Sequence, residues 1–546
     1  MPNQVKIVVM IDSPSPKQIA REPFIIGFFR GVFIFPRWPE TLLSLLSAVL
    51  LILSFPDFEW SFLAWFAFVP LFIAIERNKD STAKSFWLGL LNGTIFFYAS
   101  CWWLTYAPIN YGGIPTPIVF FLLIPATLGA GVFTGIFTVI LAHLLSKFGH
   151  LAFLAAPFVW TTCEFLRLLT TGNAWNALGY SQAFTGGGVF IKPAAVGGVF
   201  LISFITIIPS VGICLIIFSR KGFISAIASL IVVIPIVSSF FSYSKIEYNF
   251  DKTPSAVVIA LQPNVPMSGL TMEKYQELRQ RHVEMTENAL ATVNSKPELR
   301  DLPKIVVFPE SPMNFAYAED SEFREFLRDF TSRNKISLIF NAGEPDLGGD
   351  GYHNSAVMVN ERGEKIVQYD KIRLVPFGEF VPEWLPGNEL LPTVVGRTKP
   401  GKDFRLMPFG SHVRAGVMIC YESAFGDISN SFVQNGADAL IEITNDGYGG
   451  DTPILRQHLA NAVFRAVETN RPVLRVTNVG ITAYINERGE ISDQSKTYET
   501  ATRIWTVAKS DGKETFYVRN GDLFAWFCAF LSLGSLIFSF LYKKQI

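Results

Sequence analysis

Val413-Arg414-Ala415-Gly416-Val417-Met418-Ile419-Cys420-Tyr421-Glu422-Ser423 is an apolar run that stops at a cysteine and then turns polar. A short β-branched run bounded by a polar turn reads as a buried strand that delivers a side chain into the loop behind it. The same pattern recurs on both sides. Ala256 to Leu261, Ile305 to Phe308, Ser337 to Asn341, Ser355 to Val359, Ala439 to Thr444 and Val473 to Thr477 read as further strands. Met272 to Val293, Glu322 to Asn334 and Pro453 to Thr469 carry helical periodicity between them. Strands alternating with amphipathic helices predict an α/β sandwich of layered sheets, whose chemistry sits in the loops after strands.

Upstream the character changes. Of the 546 residues 50% are hydrophobic and only 17% charged, with 50 Phe and 11 Trp, too apolar for an ordinary soluble enzyme. The apolar residues concentrate before Tyr243, in stretches of the length that crosses a bilayer, roughly 20 residues each. Spans are predicted at Thr41 to Phe55, Trp60 to Ile75, Phe86 to Tyr106, Ile118 to Leu145, Leu151 to Leu169, Ala194 to Phe218, Phe223 to Phe241 and Leu523 to Tyr542. The chain thus divides into a leader at 1–40, a membrane domain of seven spans at 41–243, a polar domain at 244–522, and a last span with a tail at 523–546.

Basic residues sort to one side of these spans. Arg21, Arg30 and Arg37 precede the first; Arg77, Lys79 and Lys84 follow the second, Lys147 the fourth, Arg220 and Lys221 the sixth, and Lys543 and Lys544 the last. About eight spans would put all of these on the cytoplasmic face and the polar domain outside the cytoplasm. The leader contains Asp12 and several prolines and has no apolar core ending at a small-residue cleavage site, so no cleavable signal peptide is expected. Phe24 to Phe35 reads equally as an interfacial helix or an unordered leader.

With 46 basic and 46 acidic residues in balance there is no positive field for nucleic acid, and none is expected as a partner. The five cysteines, 101, 163, 214, 420 and 528, are too scattered for a disulfide framework or a zinc site, and no cofactor or metal is expected. His353 and His458 have no partner at ligand spacing.

Cys420 is the only cysteine of the polar domain. It is either a small buried hydrophobe or a nucleophile. Glu310 ends the strand in Ile305-Val306-Val307-Phe308-Pro309-Glu310-Ser311, where desolvation would suit it to proton transfer, although a lone glutamate is commonly a cap or surface acid. Lys371, in Tyr369-Asp370-Lys371-Ile372-Arg373, is either a solvated charge or a cation beside a thiolate and its oxyanion.

These three segments, in this order, resemble the Glu-Lys-Cys motifs of the nitrilase superfamily. Leu374-Val375-Pro376-Phe377-Gly378-Glu379-Phe380-Val381-Pro382 and Cys420-Tyr421-Glu422 resemble its membrane-bound branch, the apolipoprotein N-acyltransferases. So do Glu164-Phe165-Leu166-Arg167, Gly179-Tyr180-Ser181-Gln182, Asn445-Asp446, Gln457-His458, Arg465-Ala466 and Thr477 to Thr482. The resemblance implies a multi-pass α-helical membrane domain carrying an extracytoplasmic nitrilase-like α-β-β-α sandwich, in the inner membrane of a bacterium with the sandwich on the periplasmic side. It implies a thioester on Cys420, formed from a membrane phospholipid and passed to the α-amino group of a diacylglyceryl-modified apolipoprotein. Glu310 would be the base, Lys371 the oxyanion cation and Glu379 its orienting partner, with Tyr421 and Glu422 shaping the pocket. A monomer is expected. A membrane-tethered amidohydrolase would use the same three residues with water as acceptor.

Two departures from the family pattern stand out. Gln262-Pro263-Asn264-Val265 is followed by Leu270 and Thr271 where relatives carry a tryptophan, and Asn445-Asp446-Gly447-Tyr448-Gly449-Gly450 has one aromatic in place of two. The glycines predict a looser loop. Glu164 and Arg167, three apart on a helix, predict a structural ion pair, and Trp102, Trp103 and Trp175 are expected as interfacial aromatics.

Overall fold

The computed structural model describes residues 34–185, 190–219, 227–228, 253–313, 315–349, 351–381 and 398–541. The polar domain holds two six-stranded sheets. The first, in the order β12-β1-β2-β3-β4-β5, comprises Ala501–Val507, Ala256–Gln262, Lys304–Val307, Ser337–Pro345, Tyr352–Val359 and Lys365–Asp370. The second, β11-β10-β9-β8-β7-β6, comprises Ile491–Ser492, Ala483–Ile485, Val473–Thr477, Ala439–Thr444, Val413–Ile419 and Leu406–Phe409. Three parallel strands lie at the centre of each, β1-β2-β3 and β7-β8-β9, with antiparallel strands at the flanks.

The period-2 alternation of the first sheet feeds two cores. Val258, Ala260, Ile305, Val307 and Ile339 join the core shared with the second sheet, while Val257, Ile259, Leu261, Val306, Leu338 and Phe340 pack under the helices Met272–Asn294 and Ser321–Asn334. Burial on both faces is why these strands read as continuous apolar runs. The layers are therefore helix, sheet, sheet and helix, the layered α/β sandwich that the strand and helix pattern predicts.

The N-terminal half is helical, with helices at Trp38–Ser54, Phe68–Asn78, Thr82–Ser100, Thr116–Phe148, Ala156–Thr171 and Ala194–Phe218; Leu523–Leu541 joins them from the far end of the chain. Among the described residues four helical stretches are long and apolar enough to cross a bilayer, Ser61–Asn78, Thr116–Thr171, Ala194–Phe218 and Leu523–Leu541, and Trp38–Ser54 is a shorter apolar helix. The protein is membrane-embedded. The span expected at Phe223 to Phe241 and the leader segment Phe24 to Phe35 lie outside the described residues, apart from 227–228 and 34–35.

Three spans differ from expectation. The stretch from Trp60 begins as a 3-10 segment, Ser61–Trp65, and turns α-helical at Phe68. The helix expected to Tyr106 ends at Ser100 and continues as single turns, Trp102–Thr105 and Tyr106–Asn110, whose side chains reach the polar domain. The stretch from Leu151 begins as a 3-10 segment, Gly149–Ala155, and turns α-helical at Ala156, where Pro157 suits the first helical turn.

One helix joins the halves. Ile454–Thr469 lies between the second sheet and the membrane helices, and every residue in it except Arg456 is buried. Its partner Ala194–Phe218 breaks at Gly197 and Gly198, and the Val199 amide freed by the break donates to Glu468 Oε1 at 3.0 Å. Gly198 has φ +63°, and a Cβ there would run into the Tyr517 ring, so both its backbone and its space call for glycine.

Candidate active site

Cys420 follows β7 in the left-handed backbone region, φ +53°, uncommon for any residue but glycine. The sharp turn lifts its half-buried side chain off the strand axis into the 3-10 turn Cys420–Ala424. Glu422 fixes that turn. Its buried carboxylate accepts from Ile419 N at 2.9 Å, Ile372 N at 2.7 Å, Arg373 N at 3.2 Å and the Tyr369 hydroxyl at 2.8 Å. Burial pushes this carboxyl upward and the donors pull it back. Glu422 therefore ties the cysteine turn to the segment after β5 that carries Lys371.

Lys371 is 1% exposed, and its Nζ lies 2.9 Å from Glu379 Oε1. Burial alone would lower its pKa, but Glu379, Cys420 and Glu310 outweigh it and hold the ammonium charged. Glu379 is itself fixed by the Val375 amide, 2.7 Å from Oε2.

Glu310, in the loop after β2, accepts from Asn445 N at 3.1 Å and from Asn354 Nδ2 at 3.0 Å. Asn354 also donates to Glu379 at 2.8 Å and accepts from Asn341 at 2.6 Å, so one amide spans both carboxylates. Sequence reasoning missed Asn354. Its signal is weak, because it sits among Tyr352, His353 and Ser355 before the apolar end of β4. Burial raises the Glu310 carboxyl, Lys371 opposes this and Glu379 adds to it; Cys420 is in hydrogen-bonding contact with the carboxylate. The thiol is raised as well, first by burial and then by Glu310, with Lys371 and a Thr444 hydrogen bond acting the other way. The structure thus brings Glu310, Lys371, Glu379 and Cys420 together. A protonated thiol beside a raised carboxylate and a fixed ammonium can pass its proton to the carboxylate as it attacks, with the cation beside the developing negative charge.

The membrane half supplies one wall. Trp175 stacks on Tyr421, centroids 6.3 Å apart at 25°, and its ring lies 5.6 Å from that of His458. Trp103 and Trp175 both donate Nε1–H to Gln457 Oε1, at 3.0 and 2.9 Å, while Gln457 Nε2 donates to Ser100 O at 2.8 Å. These two tryptophans are thus junction residues rather than bilayer-interface anchors, because each has a polar partner inside the protein. Glu164 and Arg167 likewise turn to backbone rather than to each other. Glu164 accepts from Leu178 N at 2.7 Å, and Arg167 donates to Asn173 O at 3.1 Å and Trp175 O at 3.0 Å.

The glycine loop is not loose. Asp446, Gly447 and Gly449 are buried; a Cβ on Gly449 would strike Ile454, and one on Gly450 would strike the Tyr106 ring. The glycines let neighbours close in. Tyr111 donates to Gly447 O at 3.0 Å and packs edge-on against the exposed Tyr448. In the segment after Gln262, three residues before Leu270, Met267 Sδ stands 3.3 Å from Asn445 Nδ2.

Behind Cys420 lies a buried quartet. His458 Nδ1 is 2.7 Å from Asp446 Oδ1, and Nε2 is 3.0 Å from Glu442 Oε1 and 3.1 Å from the Cys420 carbonyl oxygen. Arg475 pairs with Glu442 and, at 2.7 Å, with Asp446. Burial and Arg475 lower the His458 pKa, but the two carboxylates raise it to about 9, and Asp446 is held down to about 2 against its own burial by Arg475 and His458. The other histidine singled out, His353, donates Nδ1–H to Lys399 O, 2.9 Å away.

Comparison with known proteins agrees with this division. Residues 47–212 match the family model "Apolipoprotein N-acyltransferase N-terminal domain", and residues 260–517 match "Carbon-nitrogen hydrolase". The apolipoprotein N-acyltransferase of Geobacter metallireducens is 30% identical over 510 residues, covering 90% of this chain and 93% of that protein. That of Thermotoga maritima is 28% identical over 531 residues, covering 91% and 93%. Among solved structures, Saccharomyces cerevisiae Nit3, a nitrilase-superfamily member, aligns with 47% of this chain and 93% of its own at 20% identity and TM-score 0.36. With a helical half matching one model, a sandwich matching the other, and one relative at 30% identity along nearly its whole length, the chain belongs to the apolipoprotein N-acyltransferase family.

Proposed function

We propose that this protein transfers an acyl chain from a membrane phospholipid, through a Cys420 thioester, to the α-amino group of a lipoprotein's diacylglyceryl-cysteine. Glu310 takes the thiol proton as Sγ attacks the ester carbonyl, and Lys371, oriented by Glu379, stabilises the oxyanion. Collapse releases a lysophospholipid, whose departing alkoxide takes that proton from Glu310. The amine then attacks the thioester, and Glu310 accepts its proton and returns it to the departing Cys420 thiolate. Tyr421, stacked on Trp175, lines the side of the pocket that faces the membrane half.

The observation that carries this reading is the seating of the Glu310-Lys371-Cys420 constellation on the membrane half through Trp175 and Gln457. Two lipid-anchored substrates can then react without extracting an acyl chain into water, which costs about 0.8 kcal/mol per methylene. The accompanying architecture is eight spans, a catalytic domain at 244–522 on the periplasmic side of the inner membrane, and a monomer.

The test is intact-mass analysis of the purified protein with phospholipid, with and without a diacylglyceryl-cysteine peptide. An acyl adduct on wild type, absent in Cys420→Ser and passed to the peptide amine, supports transfer. An adduct that turns over only to water would assign the site to an amidohydrolase instead.

A further inference from the structure

The ring of His458 faces an oxygen acceptor on each nitrogen: Asp446 Oδ1 at Nδ1, and both Glu442 Oε1 and the Cys420 carbonyl at Nε2. A neutral imidazole has one N–H and would set a lone pair against one of these oxygens. The contacts therefore call for both protons, and the charges close. Two cations, His458 and Arg475, meet two carboxylates, Glu442 and Asp446, all fully buried. A complete quartet is tolerable in a dry interior where a broken one is not. The groups facing the ring come from every element around it: Glu442 on β8, Asp446 after β8, the Cys420 carbonyl after β7, and the Trp175 ring from the membrane half.

We propose that His458 is a positioning residue whose Nε2–H holds the Cys420 carbonyl, pinning the left-handed backbone that aims the thiol at Glu310 and Lys371. This rests on the reading of Cys420 as the nucleophile. Asp446 of the quartet also helps to raise the thiol electrostatically, after burial and Glu310, so the hold on the carbonyl is read from His458 variants that leave Asp446 in place. The preceding residue, Gln457, ties the same helix to Trp103, Trp175 and Ser100, so the segment that fixes the nucleophile is itself indexed to the membrane half.

The experiment uses the full chain in detergent. Alkylation of Cys420 by iodoacetamide, followed by intact mass, reads thiol placement without any lipid; kcat and KM for acyl transfer are measured alongside. His458→Ala is expected to slow alkylation and kcat on the order of 100-fold, the scale of an ångström-level misplacement, with KM nearly unchanged. His458→Gln, whose amide N–H reaches the Nε2 position, restores about a tenfold share of that loss, and His458→Asn, reaching only the Nδ1 position, does not. Near-wild-type alkylation in His458→Ala, or equal rates for Gln and Asn, overturns the proposal.

If His458→Ala fails to fold, the pair His458→Gln and His458→Asn decides: alkylation of Cys420 about tenfold faster in Gln than in Asn supports the proposal, and equal rates overturn it. Wild type that alkylates normally but transfers no acyl group counts against the acyltransferase reading alone, since the variants still test positioning.

Discussion

Arg456 and Glu59 clasp each other by two prongs, Nε to Oε1 at 2.6 Å and Nη2 to Oε2 at 2.8 Å, although they stand 397 positions apart and belong to different halves of the molecule. The guanidinium also lies over the Phe184 ring at 3.9 Å. A fork-to-carboxylate pair that is also stacked is not reproduced by an ammonium. Arg456→Lys should therefore lose part of the clasp and Arg456→Met all of it, at about 1–3 kcal/mol. Thermal melts of the detergent-solubilised chain should rank wild type above Lys above Met.

Glu379→Gln removes the carboxylate that does most to keep Lys371 charged against burial. Acyl-enzyme formation should drop on the order of 100-fold, the usual scale for a lost charge-stabilising group. The remaining activity should fall away at lower pH than in wild type, because the lysine pKa drops once its partner is neutral. Rates of thioester formation across pH check both.

Cys420→Gly and Cys420→Ala both abolish the thioester but differ in backbone. Left-handed φ costs a side-chain-bearing residue about 1–2 kcal/mol, which glycine escapes. Glycine's greater unfolded-state entropy returns about 0.4–1 kcal/mol of that gain. Cys420→Gly should melt no lower than Cys420→Ala despite the lost methyl group.

The buried quartet makes stability depend on pH in two directions. The His458 pKa is raised from 6.5 to about 9 in the folded state, so its contribution is complete below 6.5 and is lost as pH rises through about 9. The Asp446 pKa is depressed from 3.8 to about 2, so its contribution is present above 3.8 and is lost as pH falls through about 2. Melting temperature should decline from neutral pH toward pH 9 in wild type, and this decline should flatten in His458→Gln.

Gly449→Phe would restore an aromatic at a position where a bare Cβ already meets Ile454 Cγ2 at 2.5 Å. Overpacking of this kind costs about 1–3 kcal/mol. The variant should lose stability and activity together rather than change donor preference, as melts and assays with two phospholipids would reveal.

Much of this was legible in the sequence. Val413–Ile419, Ala439–Thr444 and Val473–Thr477 recur with the bounds expected of them, because strands buried on both faces announce themselves as apolar runs. β5, β6, β10, β11 and β12 escaped notice: β5 carries Lys365, Gln368 and Asp370, β12 carries Thr502, Arg503 and Thr506, β6 is four residues with a proline, and β10 and β11 are only three and two residues long. The candidate residues Glu310, Lys371, Glu379 and Cys420 were nameable because each follows an apolar strand or lies in a recognisable segment. Asn354, Glu442 and Arg475 were not, since a polar residue inside a strand shows its partner only once the sheets have packed. The glycine loop misled for a related reason: glycine marks freedom in an isolated chain, but at Gly450 it marks the close approach of Tyr106.

The break at Gly198 also says something about the order of assembly. Val199 leaves the ribosome 269 residues before Glu468, the group that receives its amide hydrogen. The Ala194–Phe218 helix is therefore inserted with that bond still open, in surroundings where an unmet amide is costly. Translation of the second half closes it, so the helical part of the molecule is completed by a carboxylate from the other half of the chain.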